Sequence, residues 1–471
     1  MEQRLIWPST HLEDPTPLTA GPRQRPLRLT FHSPSFSAST PRHSEAISLL
    51  SELSSEAELD IVDFEGATHP AIVMDPEPSN GYRNITVRNP DGEAIFHHIG
   101  ISTSRISDSL LSSILHIAPD HPDYPAAFRD LVAIEAHTAL DRDVFVTSSP
   151  FLLSHRASFP ESNPMSPLEA SQLAGLVFRT RNNWLFRHYR IVRVTTDRGM
   201  FYWVLMRTKL PAFWRYFSAA LAARESHGER LGRIVQSILE RCFRALQARD
   251  EIAVQFYLPQ NNTTRDTMMY HFDYLTLLLA GSYDGMASVV DIVYGLGTDQ
   301  NDQSFRRERF VTSLRRSDLN DLADLADRPR TRSLMVMLHR LRNTIHSAGL
   351  GTLAYSEAGQ PQRSYARVPP DFRDELLQAA SDLGGPDLWG ILREDFVVRG
   401  PDGSHRREYD VYIEPFSYAA QLVQQWLPLL DETAAATEVE RLFPSGPPRD
   451  LLRETPPDWS DMVPFFTLLG R

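Results

Sequence analysis

The chain has 471 residues, of which 42% are hydrophobic and 23% are charged, and its formal net charge is −12. This length exceeds one typical hydrophobic core and predicts two or three domains of a soluble globular protein. The net charge argues against a protein that sheathes duplex DNA, because such a protein needs an excess of basic residues. A single cysteine, Cys242, excludes an internal disulfide framework and a cysteine-based zinc site.

The sequence predicts a cytoplasmic protein. The amino terminus MEQRLIWPST lacks a basic region followed by an apolar one, so we expect no signal peptide. The most apolar stretch, 275–294, carries Asp284 and Asp291, which argues against a membrane span. Arginine supplies almost every basic side chain, with Lys209 as the one lysine, and this usage indicates a bacterial source of high GC content.

The amino-terminal part of the chain is predicted to be a loose leader followed by an α/β domain. Residues 1–43 are rich in Pro, Ser, Thr and Arg without a period, which is typical of a loose leader. Residues 44–210 alternate between helical and extended patterns. Ser166-Pro167-Leu168-Glu169 has the residues of a capping box at a helix start. The other predicted elements are helix 45–53, strand 59–64, strand 69–74, strand 82–88, helix 107–117, helix 125–140 and strand 143–147.

The carboxy-terminal part is predicted to be mostly helical. Residues 211–431 form the predicted bundle, and residues 432–471 form a Pro-rich extension. The fold class that we expect is therefore α+β and multidomain, with an α/β domain followed by a helical bundle. The predicted helices lie near 212–224, 228–249, 264–295, 304–326, 333–349, 371–381 and 415–430.

One helix turn, Leu341-Arg342-Asn343-Thr344-Ile345-His346, carries residues suited to phosphate chemistry. Its helix, 333–349, has an apolar stripe at helical spacing that can pack into a bundle. Arg342 and His346 are four residues apart, so both side chains project from one flank of that stripe. A guanidinium binds phosphate oxygens bidentately, and an imidazole that titrates near neutral pH can move a proton.

The Arg-Asn-x-x-His word on this helix resembles the HEPN superfamily. Residues 270–287 look like the second bundle helix of bacterial HEPN-like proteins, and 382–390 look like the connector to their last helix. The resemblance covers roughly 228–430, although the family usually has one or two more residues between its Arg and its His. It implies a HEPN-like bundle whose active sites form where two copies meet, so we expect a homodimer.

The same resemblance implies an RNA-directed effector of the defence or toxin type. As the Arg and His do in HEPN ribonucleases, Arg342 and His346 would act on the scissile phosphate without a metal or other cofactor, so that the ribose 2′-OH attacks. Asn343 would be a polar supporting residue. Many members bind without cutting, so the alternative is a non-catalytic module for nucleic acid, nucleotide or a protein partner. In a purely structural alternative, Arg342 pairs with a facing carboxylate and His346 caps the helix end.

A line of carboxylates is predicted on the helix that faces Arg342. Asp273, Asp284 and Asp291 are spaced 11 and 7 residues apart, so they lie within about 20° on one helix face. Asp284 stands between two glycines, and we predict that it meets Arg342 across the bundle and orients it or tunes His346. The alternatives are a solvated seam or a packing groove built by the small residues.

A weaker hypothesis gives the α/β domain a metal-dependent nuclease activity. Residues 140–153 resemble the late strand of PIN-domain nucleases, in a degenerate form with serines where a late Asp is expected. Asp63, Glu135 and Asp143 would then hold Mg²⁺ or Mn²⁺ and activate water. Otherwise these three are ordinary cap, turn and surface acids. A basic segment, 305–309, is predicted to be solvated helix surface, with an RNA track as the alternative.

Overall fold

The computed structural model describes residues 25–55, 59–66, 68–74, 82–159, 161–188, 191–195, 198–223, 229–258, 260–347, 350–355, 363–399, 405–443 and 463–464. The chain divides into two compact units, and the boundary that follows the first sheet lies between Asn183 and Trp184. This differs from the predicted boundary at 210, because Trp184, Phe201 and Tyr202 are buried in the core of the second unit. The α+β class is confirmed.

The first unit is built around one mixed sheet. Its strands are β1 (Leu27–His32), β2 (Leu59–Phe64), β3 (Ala71–Met74), β4 (Tyr82–Arg88), β5 (Ala94–Ser102), β6 (Val144–Val146) and β7 (Pro164–Met165). Their order is β5-β4-β3-β2-β1-β6-β7. The pairs from β3 through β7 are parallel, whereas β4 pairs antiparallel with β3 and with β5. The predicted strands 59–64 and 82–88 coincide with β2 and β4.

The prediction of a loose leader is wrong for residues 27–32. These residues form β1, which lies between β2 and β6 in the parallel part of the sheet. Leu27, Leu29 and Phe31 are almost fully buried, so the apolar side chains alternate with polar ones as in a strand. The Pro- and Ser-rich composition on both sides hid this short alternation. The remainder of the predicted leader, residues 1–24, lies outside the described residues.

Helices accompany the sheet of the first unit. They are α1 (Pro41–Glu52), α2 (Tyr124–Ala139), α3 (Pro150–Ser154) and α4 (Pro167–Thr180), with a π-helical segment at Arg105–Ile114. The predicted capping box at the start of α4 is confirmed. The Ser166 hydroxyl accepts a hydrogen bond from the Glu169 backbone N–H, and the Glu169 carboxylate accepts one from the Ser166 backbone N–H.

The second unit is mainly helical, as predicted. Its helices are α5 (Arg198–Lys209), α6 (Pro211–Ala222), α7 (Glu229–Tyr257), α8 (Asn262–Tyr294), α9 (Glu308–Arg316), α10 (Asn320–Asp327), α11 (Pro329–Ser347), α12 (Arg373–Asp382) and α13 (Pro415–Ala435). The single helix predicted over 304–326 is wrong. Asp318 has a φ of 58°, and this left-handed residue separates α9 from α10.

The described residues of the second unit also form seven strands. They are β8 (Trp184–His188), β9 (Ile191–Thr195), β10 (Gly351–Tyr355), β11 (Arg363–Arg367), β12 (Ile391–Arg399), β13 (His405–Ile413) and β14 (Val463–Pro464). They form two sheets, ordered β10-β11-β13-β12 and β14-β8-β9. Within the predicted extension 432–471, α13 continues to Ala435 and β14 pairs with β8, while most of the rest lies outside the described residues.

One helix of the described part of the chain, α8, is long and apolar enough to cross a membrane. In its most apolar 18-residue window, 61% of the residues are buried inside the protein. Core helices pass the same test of length and composition. Phe272 and Tyr283 of this helix pack with Trp426 and Tyr418 of α13 in the core of the second unit.

Candidate functional site

The candidate site is formed on two long helices that run antiparallel. A Cβ at Gly281 of α8 would meet Arg241 of α7, and a Cβ at Gly285 would meet Ile238. As the residue number rises on one helix it falls on the other, so the helices run in opposite directions. Both glycines lie in the middle of α8, where glycine costs about 1 kcal/mol relative to alanine. They allow the side chains of α7 to lie directly against the backbone of α8.

Three arginines of α7 share one face of that helix. Arg230, Arg233, Ser237 and Arg241 follow one another at intervals of 3, 4 and 4 residues, and this spacing keeps side chains on one face. The Arg241 guanidinium lies against Gly281, and its Nε is 3.4 Å from the Ser237 hydroxyl. These three arginines therefore place positive charge along the edge of the α7–α8 pair.

A loop after α8 supplies the next wall of the site, and two of the predicted carboxylates fix its position. Asp284 accepts a hydrogen bond of 2.8 Å from the hydroxyl of Ser304. Asp291 accepts hydrogen bonds from the Thr298 backbone N–H at 2.9 Å and from the Gln303 amide at 3.1 Å. The predicted line of carboxylates thus ties the loop to α8. Arg306 and Arg307 follow this anchored segment.

The third of those carboxylates, Asp273, does not take part in this anchoring. It is half-buried, and its Oδ1 has no hydrogen-bond partner among the described residues. Burial raises the pKa of Asp273 to about 6. It does not line the site formed by the loop and α7.

Arg342 of α11 completes the site. Its Nη1 donates a hydrogen bond of 3.2 Å to the Oδ1 of Asn343. The helix continues to Ser347, so the backbone places His346 one turn beyond Arg342. The His346 side chain lies outside the described part of the chain.

These elements enclose a cleft of about 800 Å³, which we call the arginine cleft. Six arginines line it together with a single acidic residue, Asp284. A volume of this size is typical of a ligand-binding site. The six arginines are Arg230, Arg233, Arg241, Arg306, Arg307 and Arg342.

None of these six guanidinium groups forms an ion pair with a described carboxylate. Other arginines of the same unit are paired: Arg309 with Asp302 at 3.2 Å, and Arg328 with Glu432 at 2.7 Å. The contrast matters because clustered like charges repel each other and destabilise the compact state. An anionic ligand would relieve that repulsion, and phosphate suits the planar guanidinium fork.

Crowding of the positive charges affects two titratable groups beside the cleft. Partial burial lowers the pKa of Arg306, with Asp284 acting in the opposite direction and Arg342 in the same one. Burial, together with the smaller effects of Arg306 and Arg342, lowers the pKa of His339 to about 3. His339 is therefore neutral at pH 7.

The structure brings together some of the sequence-predicted site residues. Arg342 and Asp284 both line the arginine cleft, but no ion pair joins these two described residues, so the predicted contact between them is wrong. The reason is geometric: the Asp284 carboxylate is engaged by Ser304. Sequence reasoning missed the arginines of α7, although their 3-4-4 spacing is visible in the sequence. It assigned Arg306 and Arg307 to solvated surface.

The three acidic residues suggested as metal ligands in the first unit do not meet. Asp63 is level with Phe31 of β1, whereas Asp143 precedes Val144, which is level with Leu29. The two acids are therefore offset by about 10 Å along the strands, at 3.3 Å per residue. Asp143 instead accepts hydrogen bonds from both Nη atoms of Arg25 at 2.6 Å.

Glu135 lies beside a cation instead, with Arg105 Nη1 at 3.9 Å from its carboxylate. Burial raises the pKa of this carboxyl group. Within the described ranges, no group of three His, Cys, Asp or Glu side chains is arranged to hold a metal ion. The proposed cluster of Asp63, Glu135 and Asp143 is therefore wrong.

A second polar cluster lies where β1 and β6 end. His32 Nδ1 is 3.0 Å from the Thr147 hydroxyl, and burial lowers the pKa of His32 to about 4. The Ser149 hydroxyl donates to Asp130, whose carboxylate is 3.7 Å from His32 Nε2. Among the described residues, the Ser149 hydroxyl is therefore bonded to Asp130 and not to His32. The cluster holds the segments that follow the two strands together.

Comparison of the chain with protein-family models, with curated proteins and with solved structures finds no match.

Proposed function

We propose that the second unit binds RNA through its phosphate groups in the arginine cleft. The observation that carries this proposal is the cluster of six arginines that line one cleft without a carboxylate partner among the described residues. Each guanidinium presents a planar fork of donors that matches two phosphate oxygens. A chain of phosphates can therefore satisfy several of these groups at once, where a single small anion would satisfy one or two.

The charge distribution favours a local RNA site over a general nucleic-acid surface. The chain as a whole carries a formal charge of −12, which repels a polyanion from most of its surface. Among the described residues, six arginines without a carboxylate partner come together in the arginine cleft. Binding then depends on a few phosphates placed in that cleft, and its strength falls steeply with salt because counterions are released.

Cleavage of the bound RNA is a second proposed step. It is supported by the position of Arg342 in the cleft and by His346, one helical turn further along α11. In this proposal Arg342 holds the scissile phosphate, and His346 moves the proton of the attacking 2′-OH, which needs no metal. Non-catalytic binding of RNA, a nucleotide or a protein partner is the competing function, and the shorter Arg–His spacing than in HEPN proteins favours it.

The biological role and the oligomeric state are also proposals. The resemblance to the HEPN superfamily suggests a bacterial cytoplasmic effector of the defence or toxin type that acts as a homodimer. The single cysteine is buried, and one cysteine forms no internal disulfide that would need an oxidising compartment.

The experiment is an RNA binding and cleavage assay with the full-length chain. A labelled single-stranded RNA is titrated with protein and then incubated with and without EDTA. Binding that is lost when Arg233, Arg241 and Arg306 are changed together to alanine supports the proposal. Equal loss when Arg244, Arg309 and Arg328 are changed instead would contradict it, because those three arginines pair with carboxylates outside the cleft.

A further inference from the structure

A second cleft of about 780 Å³ adjoins the arginine cleft. The two share Arg306 and Arg307 as a common wall. Its other walls come from α9, α10 and α11, and they include the apolar side chains of Val311, Met335 and Val336. We call it the histidine cleft, after His339 in its wall.

The arginines of the histidine cleft are neutralised by carboxylates. Arg315 donates to Asp324 at 2.9 Å and to Asp327 at 2.8 Å, and Arg332 donates to Asp327 at 2.6 Å. Arg340 likewise donates to Glu375 with both of its bonds at 2.7 Å. Away from the shared wall, this cleft therefore offers little charge to a phosphate. Its paired charges and the apolar side chains beside them suit a flat, uncharged group instead.

His339 is a buried polar group in the wall of this cleft that lacks a hydrogen-bond partner among the described residues. Its side chain is 3% exposed, and neither ring nitrogen has a hydrogen-bond partner among the described residues. Buried polar atoms are nearly always bonded, since an unbonded one costs free energy. A neutral imidazole has one donor and one acceptor, which is the complement of the edge of a nucleobase.

We propose that the histidine cleft receives an unpaired nucleobase of the strand whose phosphates occupy the arginine cleft, with His339 hydrogen-bonded to that base. This rests on the proposed function and narrows it to single-stranded nucleic acid. The strand crosses the shared wall, where Arg306 and Arg307 hold the phosphate next to the base. A duplex cannot bind in this way, because its bases are paired and stacked.

The test compares ligands that differ only in their bases. Fluorescence anisotropy is measured for a labelled single-stranded RNA of about eight nucleotides, within the usual site size, for an abasic oligomer of equal phosphate number, and for the RNA duplex. We expect the RNA to bind about tenfold more tightly than the abasic oligomer, because one buried base typically contributes about that much affinity. Equal affinity for the abasic oligomer or for the duplex would overturn the inference.

The variant His339→Phe removes the hydrogen bonds and keeps an aromatic ring. We expect the affinity of this variant for RNA to fall to the affinity of the wild type for the abasic oligomer. Its affinity for the abasic oligomer should equal that of the wild type. The unchanged abasic affinity reports that the fold and the arginine cleft are intact. His271→Phe is the matched control, since this half-buried histidine lines neither cleft, and it should leave both affinities unchanged.

Should His339→Phe fail to fold, Val336→Trp is the second variant, because it fills the histidine cleft from a half-buried wall position. It should also abolish the preference for RNA over the abasic oligomer. A preference that persists in a folded variant of either kind would overturn the inference and leave phosphate binding in place. If neither the RNA, the abasic oligomer nor inorganic polyphosphate binds the wild type, the proposed function fails and the inference fails with it.

Discussion

The guanidinium of Arg241 occupies the space that a side chain at Gly281 would fill. A Cβ built on Gly281 would lie 1.4 Å from the Nη1 of Arg241, so the two cannot coexist without movement. This relationship explains a glycine in the interior of α8, where alanine would make the helix more stable by about 1 kcal/mol. The glycine costs helix stability, and it lets a cation reach the floor of the arginine cleft.

Replacing this glycine tests whether the position of Arg241 matters for RNA binding. In Gly281→Ala, the guanidinium must leave the cleft floor, and we expect RNA affinity to fall by about tenfold, which is what one charge-assisted hydrogen bond contributes. In an Arg241→Ala background, the same change should leave affinity unaltered and raise the unfolding free energy by about 1 kcal/mol. Additive losses of affinity in the double variant would contradict this coupling.

Asp284→Asn separates an anchoring role from a catalytic one. The amide oxygen of Asn can still accept the Ser304 hydrogen bond, while the one carboxylate among the described residues that line the arginine cleft is removed. We therefore expect RNA affinity to rise severalfold, measured by anisotropy at constant salt. A loss of affinity would show that the carboxylate orients the arginines. A large loss of turnover without a loss of binding would return Asp284 to the catalytic role that the sequence suggested.

Cleavage, if His346 carries it, is expected to persist in EDTA. His346→Ala should lower turnover by about 10²- to 10⁴-fold, the usual effect of losing an acid–base group, with little change in RNA affinity. Gel analysis of the RNA products gives the rates, and Tm reports the fold. Arg342→Ala should weaken binding and leave Tm nearly unchanged, because no described carboxylate pairs with Arg342. Activity that disappears in EDTA and returns with Mn²⁺ would contradict a metal-free site.

The lowered pKa of His339 predicts how this residue affects stability as pH changes. Its pKa is about 3 in the folded chain and 6.5 ordinarily, so below pH 6.5 the unfolded state takes up a proton that the folded state does not. Above pH 6.5, His339 is neutral in both states and does not make stability depend on pH. Below pH 6.5, the free energy of unfolding decreases as pH falls toward 3, by up to about 1.4 kcal/mol per pH unit.

The variant His339→Leu lacks this linkage and also removes two unbonded nitrogens. We expect it to be at least as stable as the wild type at pH 7 and to lose less stability at about pH 5, as measured by urea unfolding. His32 and Asp273 also titrate with shifted pKa values, about 4 and about 6. Both are present in each protein, so the difference isolates His339. Parallel losses in the two proteins would contradict the predicted linkage.

The sequence was most informative where the periodicity was long or the local chemistry was specific. The apolar pattern of 264–295 predicted α8 to within a few residues, and the alternation of 59–64 gave β2. The hairpin of β12 and β13 was missed because charged residues interrupt the apolar alternation of both strands and the side chains of 392–397 are exposed. β1 was missed because its six alternating residues lie in a Pro- and Ser-rich segment.

The candidate site was only partly predictable for a different reason. The sequence pointed to Arg342 and Asp284, and both line the arginine cleft. Whether an arginine is paired cannot be determined from spacing alone, since Arg315 and Arg306 lie in the same basic region and differ only in their tertiary neighbours. Arg315 forms ion pairs with Asp324 and Asp327, whereas Arg306 lies near Asp284, Arg307 and Arg342 without forming an ion pair with a described carboxylate.

The most direct test of the account is the salt dependence of RNA binding. If six phosphates contact the arginine cleft, the logarithm of the binding constant should fall with the logarithm of salt concentration with a slope of about −4, at about −0.7 per contact for a single strand. The triple variant of Arg233, Arg241 and Arg306 to alanine should reduce the slope to about −2. The control triple variant of Arg244, Arg309 and Arg328 should keep it near −4. Equal slopes for the two triple variants, or no measurable RNA binding by the wild type at low salt, would contradict the account.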